Sequence, residues 1–497
     1  MQAKLIIRDE VNVKIEGLDL STRKKLVDKF KYEIPGARYQ PSVRLGRWDG
    51  KVAFFQLSGS TYINLLPDVL AFLDSAGYDI DVDDQREYST QFEFKAITEH
   101  SYSHIAWPKG HRFAGEPMEL RDYQPEIINR FFENPQCVQE IATGAGKTVI
   151  TAALSDAVSQ YGRSIVIVPN KSLVTQTEAD YINMQLDVGV YFGDRKEYGR
   201  THTICTWQSL NNLLKNTKSY ESDITIGEFL EGVVAVIVDE VHMAKADALK
   251  TLLSGPMASI PIRWGLTGTV PKEDYARQSI FCMLGSVVGQ LSASDLQEAG
   301  HLSNCHVNIV QLSDHKEYKD YQSELKYLVT STERIAYIAT LIDKIKEGGN
   351  TLILVDRVET GKMLQVELSG LFSLLKDKPD VAFVSGATKA TERNEQYDEI
   401  ATSTNKIIVA TYGVAAVGIN IPRIFNLVLV EPGKSFVRVI QSIGRGIRKA
   451  EDKDHVQIWD LTSTCKFAKR HLTKRKQFYR EANYPFTQEK LDWMKLG

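Results

Sequence analysis

Residues 141–150 read IATGAGKTVI: a turn with two glycines, then lysine and threonine, set between a strand-like run and the helical stretch TAALSDAV. Gly144 and Gly146 allow backbone N–H groups to close around phosphate oxygens, and Thr143 and Ala145 belong to the same nucleotide-binding turn. The positive end of the following helix adds to that field. Lys147 then reaches the β- and γ-phosphates of a nucleotide, and Thr148 offers a hydroxyl to Mg2+. The full G-x-x-x-x-G-K-[ST] pattern carries glycine where this chain has Ile141, so a plain Gly-rich turn is the alternative. Further on, VVAVIVDEVH delivers Asp239 and Glu240 to the end of an apolar run. Open α/β sheets place their sites at the carboxyl ends of strands, beside such a phosphate loop. There Asp239 would hold the metal and Glu240 would polarise an attacking water.

Weaker signals surround this pair. LRDYQ (120–124) sets Arg121 and Gln124 one helix ahead of the phosphate-loop strand, where the Gln124 amide can offer both donor and acceptor to an adenine edge. TGT (267–269) closes a strand with two hydroxyls. QSIGRGIRK (441–449) carries Arg445 and Arg448 three residues apart, which on a helix points two guanidinium groups at one anion; a solvated basic face is the alternative.

The elements that must position these residues are β-branched runs alternating with helical stretches, the pattern of a parallel sheet built from βαβ units. One series runs through CVQEIA (137–142), SIVIVP (164–169), HTICT (202–206), VVAVIVD (233–239) and IRWGLT (262–267). A second runs through HVNIVQL (306–312), TLILVD (351–356), VAFVS (381–385), KIIVAT (406–411), NLVLV (426–430) and HVQIWD (455–460). Two series predict two α/β domains, over 118–289 and 305–497, joined by a polar connection at 290–304. Residues 317–350 read as long helical material ended by Gly-Gly-Asn. Residues 1–100 form a small α+β domain with an amphipathic helix near 20–31, and 101–117, with Pro108, Gly110, Gly115 and Pro117, is a linker.

The totals narrow the class. With 497 residues and 43% hydrophobic content the chain has material for about two to four globular domains. The net charge of −3 hides an asymmetry: residues 1–55 hold 12 Lys and Arg against 7 Asp and Glu, and residues 434–497 hold 15 against 7. Both ends therefore suit a polyanion. Five scattered cysteines without a C-x-x-C pair argue against structural zinc and against a disulfide framework. No apolar run approaches the ~18 residues of a membrane span, and Met1 leads directly into a charged segment without a signal-peptide pattern. A soluble cytoplasmic protein is expected, in the host cytoplasm if the source is viral.

Taken in order, Gln124, TGAGKT, VPNKSLVTQ (168–176), TWQSL (206–210), DEVH, LTGT, ATYGVAAVGINIP (410–422) and QSIGRGIRK resemble the motif series of superfamily 2 helicases and translocases. The resemblance implies two tandem RecA-like parallel-sheet domains that sandwich ATP and Mg2+. It places Gly418 at the nucleotide cleft, and Gln441, Arg445 and Arg448 projecting across it toward the γ-phosphate. It also assigns the nucleic-acid backbone to Pro169, Lys171, Thr206 and Gln208 in the first motor domain, and to Ser385, Gly386 and Thr411 in the second. DEVH in place of DEAD, and Gln441 in place of a histidine, favour the DNA-directed branches over RNA helicases.

The stretch SVRLGRWDGKVAFFQL (42–57) is similar to the Gly-x-Trp-Asp-Gly segment in the small amino-terminal domain of UvsW-type phage helicases, which remodel branched DNA. Arg44, Arg47 and Lys51 around Trp48 offer phosphate partners beside a flat ring, with Asp49-Gly50 as the turn of a hairpin; Trp48 plugging a small core is the alternative. The tract KFAKRHLTKRKQFYREANY (466–484) reads equally as a DNA-facing helix or an amphipathic cap. The expected activity is ATP-driven unwinding or branch migration of forks, Holliday junctions or R-loops by a monomer. An RNA helicase and the motor subunit of a restriction system are the alternatives, and no separate nuclease block is found.

Overall fold

The computed structural model describes residues 1–86, 92–109, 113–219, 224–243, 246–373, 375, 377–388, 392, 395–396, 399–400, 402–412, 423–433, 453 and 455–495. They divide into two compact units, residues 1–141 with 146–290, and residues 142–145 with 291–497.

The first unit is built on an eight-stranded sheet. Its central strand, Val233–Asp239, is buried at every position, as a parallel strand covered on both faces must be. Its neighbours are Arg163–Val168 on one side and Ile262–Thr267 on the other, and Gln136–Ile141 follows Ile262–Thr267. These central pairings are all parallel. The strands that end in the phosphate loop, Asp-Glu and TGT therefore lie side by side and run in one direction, which brings three distant stretches of sequence to one edge.

The amino-terminal residues form a four-stranded sheet in which Gln2–Ile7 pairs antiparallel with Asn12–Glu16 and parallel with Asp79–Asp84. The helix expected near 20–31 spans Leu20–Lys29, capped by the Asp19 carboxylate on the Thr22 amide. This sheet does not keep a core of its own: one hydrophobic cluster runs from Val13, Phe54 and Tyr62 to Tyr275, Val236 and Val238. Phe54 lies 5.9 Å from the Tyr275 ring. Backbone bonds close the seam, with the Glu10 amide donating to Ala258 O at 3.1 Å. The Asn64 side chain donates to Phe281 O at 3.0 Å.

The stretch expected as a linker is likewise packed. Trp107 and Glu116 pair across a doubled-back segment, and the Tyr102 hydroxyl donates to Asp156. Just upstream, Phe94 stacks on Phe132 and meets Trp264.

The second unit is a seven-stranded sheet whose assigned pairings are all parallel. Thr351–Val355, Lys406–Thr411 and Asn426–Val430 are buried throughout. The long helical material breaks at Ser331 into Tyr321–Thr330 and Thr332–Ile345. The polar connection carries a short helix, Ala293–Glu298, closed by a capping box of Ser292 and Asp295.

A shared core in the first unit has a measurable consequence. Truncating Phe54→Ala is expected to cost about 3–5 kcal/mol. Hydrogen exchange should show amides of Asn12–Glu16 and of Val233–Asp239 losing protection together, whereas an independent amino-terminal domain would lose only its own.

Candidate nucleotide site and nucleic-acid surface

At the end of Gln136–Ile141 the chain turns through Gly144 at φ 95° and Gly146 at φ 78°, then enters the helix Lys147–Val158. Left-handed backbone of this kind favours glycine. At Gly146 a Cβ would also stand 2.6 Å from the Gln124 amide nitrogen, so any side chain there would displace Gln124. Gln124 is buried, and its side-chain oxygen accepts the Arg121 amide at 2.9 Å. Its structural place is thus against the phosphate loop. Arg121 is exposed and donates to the Tyr123 hydroxyl.

Lys147 is 9% exposed, so its ammonium is largely out of water and requires compensation. Glu240 supplies it at 3.1 Å, and Ile141 O accepts a further bond at 3.3 Å. Glu240 sits at φ 51°, the left-handed region a glutamate rarely adopts, directly after the strand that ends in Asp239. The turn places its carboxylate beside Lys147 and also within 3.3 Å of the Gly268 amide.

His242 completes the network. The Thr267 hydroxyl donates to Thr269 O at 2.8 Å, so it accepts at 2.6 Å from His242, which fixes the imidazole proton on Nδ1. That same nitrogen is 3.5 Å from Glu240. Burial holds the imidazole below its ordinary pKa. The Thr267 hydroxyl and the Gly268 amide thus orient His242 and Glu240 respectively.

The two carboxylates are driven apart. Burial, then the neighbouring Glu240 charge, push Asp239 up to about 7, with Lys147 opposing. Burial also acts upward on Glu240, but Lys147 and His242 outweigh it and hold this group below its ordinary range. A carboxyl 2% exposed and reluctant to ionise alone is suited to a site that receives a cation. The Thr148 hydroxyl donates its proton to Asp180, leaving its lone pairs as the face available to a metal. Hard oxygen donors of this kind, few in number, suit Mg2+ carried in with phosphates. Asp180 was not legible in the sequence, since it comes from the helix Lys171–Asn183, whose Tyr181 hydroxyl donates to Thr151 O on the phosphate-loop helix.

The nucleic-acid candidates fall into two groups. Arg44, Arg47 and Lys51 are exposed, and Trp48 is half-buried with its indole N–H donating to Lys51 O at 2.9 Å. Trp48 is therefore not a core plug. Asp49-Gly50 does not form the expected hairpin turn: it leads into Lys51–Ala53, whose antiparallel partner is Lys31–Glu33, with Arg44 and Arg47 on the long connection between them and Lys51 opening the strand. Lys171 and Gln208 are exposed at helix starts, Pro169 is half-buried and Gly386 is exposed. Thr206, Ser385 and Thr411 are buried. The Thr206 hydroxyl is engaged with Ser209, and the Ser385 amide donates to Thr388. Gly418, Gln441, Arg445 and Arg448 lie outside the described residues.

Three family matches cover the chain in order. Residues 2–83 match "DNA helicase UvsW, N-terminal", residues 117–272 match "Type III restriction enzyme, res subunit", and residues 333–450 match "Helicase conserved C-terminal domain". The ATP-dependent DNA helicase uvsW of Enterobacteria phage T4 is 26% identical over 96% of this chain and 94% of its own length. The DNA 3'-5' helicase XPB of Mycobacterium tuberculosis is 23% identical over 75% of this chain and 65% of its own. Among solved structures, the ATP-dependent Type ISP restriction-modification enzyme LlaBIII bound to DNA aligns with a TM-score of 0.59 at 14% identity, over 86% of this chain and 36% of that one, a likeness of fold. With a match to the UvsW amino-terminal family followed by matches to both helicase families, and with the phosphate loop, Asp239 and Glu240 at neighbouring strand ends, the chain is a superfamily 2 DNA helicase that resembles the UvsW type.

Proposed function

We propose that this ATP-dependent DNA helicase acts on branched DNA, such as forks, Holliday junctions and R-loops, by unwinding or branch migration. The observation that carries the reading is a buried hydrolytic site in the same packed unit as a basic, aromatic surface at Arg44, Arg47, Trp48 and Lys51. Contacts of that surface fall on phosphates and ring faces, which position a nucleic acid without reading its sequence. Selectivity is then for structure. The likeness of residues 2–83 to the UvsW amino-terminal family supports assigning that role to this domain.

In the reaction, Lys147 binds the β- and γ-phosphates, and Glu240 orients and deprotonates the attacking water while Lys147 and His242 stabilise its charge. Thr148 and Asp239 are the residues that would hold Mg2+, which supplies charge neutralisation on the phosphate oxygens. Gln124, packed against Gly146, is assigned to the adenine edge. Arg445 and Arg448 are assigned to transition-state charge, where arginines of this role are worth about 10³–10⁵ in rate.

Two measurements test this reading. ATP turnover should be stimulated most by a four-way junction among single-stranded DNA, duplex, junction and RNA compared at one fixed salt; stimulation by RNA alone would overturn the substrate. Trp48→Ala should weaken junction binding by about 1–3 kcal/mol, the scale of one aromatic stacking contact, and equal affinity of variant and wild type would remove Trp48 from the surface.

The Asp239 shift gives a separate test on protein free of nucleotide and metal. A carboxyl raised to about 7 in the folded state penalises folding increasingly as pH climbs from the ordinary carboxylate range through 7. Asp239→Asn removes that penalty, so its gain in melting temperature should be larger at pH 8 than at pH 5. An equal gain at both would contradict the shift.

A further inference from the structure

The helix Lys466–Glu481 in the second unit has two faces of opposite character. Ala468, Leu472, Arg475 and Tyr479 are buried. Arg475 grips Asp460 with both arms of its guanidinium, each at 2.9 Å, and the Tyr479 hydroxyl donates to the same carboxylate at 2.7 Å. The Glu324 carboxylate, itself buried, accepts the Phe467 and Ala468 amides at 3.0 and 2.7 Å and so caps the helix start. The helix is thus fixed rigidly on the sheet.

The outward face carries six cations, Lys466, Lys469, Arg470, Lys474, Lys476 and Arg480, and no acidic residue occurs between 466 and 480. All but the half-buried Lys476 are exposed. None of the six meets a carboxylate among the described residues. Lys466 and Arg470 lie over the Phe467 ring, and Lys476 and Arg480 over Phe486. Arginines elsewhere in the chain do meet carboxylates, Arg195 with Glu178 and Glu197, the half-buried Arg130 with Glu126, and Arg277 with Asp274, whereas among the described residues Arg44 and Arg47 share the unpaired character of this face. Like charges three and four apart on a helix destabilise it by a few tenths of a kcal/mol per pair, so this face is held against a local cost that an external anion would relieve.

We infer that the outward face of the helix Lys466–Glu481 is a second nucleic-acid surface, one that binds the phosphodiester backbone of duplex DNA independently of sequence. The inference rests on the DNA reading above. Residues 466 to 480 span about 21 Å at 1.5 Å rise per residue, too long to converge on one phosphate and matched to a polymer that carries a charge about every 3.4 Å along each strand. A membrane surface is disfavoured because a lipid-binding helix presents an apolar face outward, whereas here the apolar face is buried in protein and Thr473 and Gln477 lie between the cations.

The test is a salt titration of duplex affinity for the full chain, read by anisotropy of a labelled duplex. Lys469→Gln, Arg470→Gln and Lys474→Gln combined should make the slope of log K against log salt shallower by about 2–3, close to 0.9 per lost phosphate contact, and lower the affinity at least tenfold near 0.1 M salt. Arg475, Asp460 and Glu324 are untouched, so the melting temperature should hold. The paired Lys469→Arg and Lys474→Arg variant should keep the wild-type slope. An unchanged slope and affinity in the glutamine variant would overturn this surface while leaving the helicase reading intact. Absence of duplex binding by the wild type would instead overturn the DNA reading and this inference with it.

Discussion

Three ionisable groups largely withdrawn from water, Lys147, Glu240 and Asp239, set the terms for the first unit. An isolated ammonium or carboxylate is costly to bury, and pairing recovers the cost only with good geometry. The fold meets that demand by ending neighbouring parallel strands at one edge. Glu240 then turns back at a positive φ, and the Gly268 amide and His242 hold its second oxygen. One positive charge cannot satisfy two carboxylates, so Asp239 is left short of a cation. This residual demand is what the proposed metal and nucleotide would meet.

The second unit applies the same physics without an open edge. Arg334, fully buried, is shared between Asp314 and Glu431, and Asp314 also accepts from Ser463, Tyr327 and Trp493. Arg475 and Asp460 form a separate buried pair. Removing one partner of such a pair typically costs about 3–5 kcal/mol, because the other charge stays buried. These pairs join the carboxyl-terminal helix, the helices after Asp314 and two strand ends into one body. Here too one cation serves two carboxylates, and burial pushes Glu431 up to about 7, with Arg334 and Arg475 opposing.

Much of this was readable in the sequence, and the reason is burial. His202–Thr206, Val233–Asp239, Ile262–Thr267, Lys406–Thr411 and Asn426–Val430 match the expected runs residue for residue, since a strand covered on both faces is dominated by apolar, largely β-branched residues. Strands without that constraint were missed. Phe486–Leu491 is exposed along most of its length and carries no apolar run, and Val188–Phe192 is short and interrupted by glycine. The Asp49-Gly50 signal is a true turn preference, but the partner strand comes from Lys31–Glu33, so tertiary pairing overrode it. Lys147, Asp239 and Glu240 were legible because their motifs are local. Asp180 and the Thr267–His242 contact were not, because each is made by packing between elements far apart in sequence.

The central claim is that Lys147 is buried beside Glu240 in order to receive nucleotide phosphates. Its most direct test is the DNA-stimulated ATP turnover of Lys147→Ala, measured beside its DNA affinity at the same salt. Turnover should be lost while DNA binding persists, because the residues proposed to face DNA lie elsewhere on the chain. Turnover at the wild-type rate would contradict the claim and return the GKT turn to a structural role.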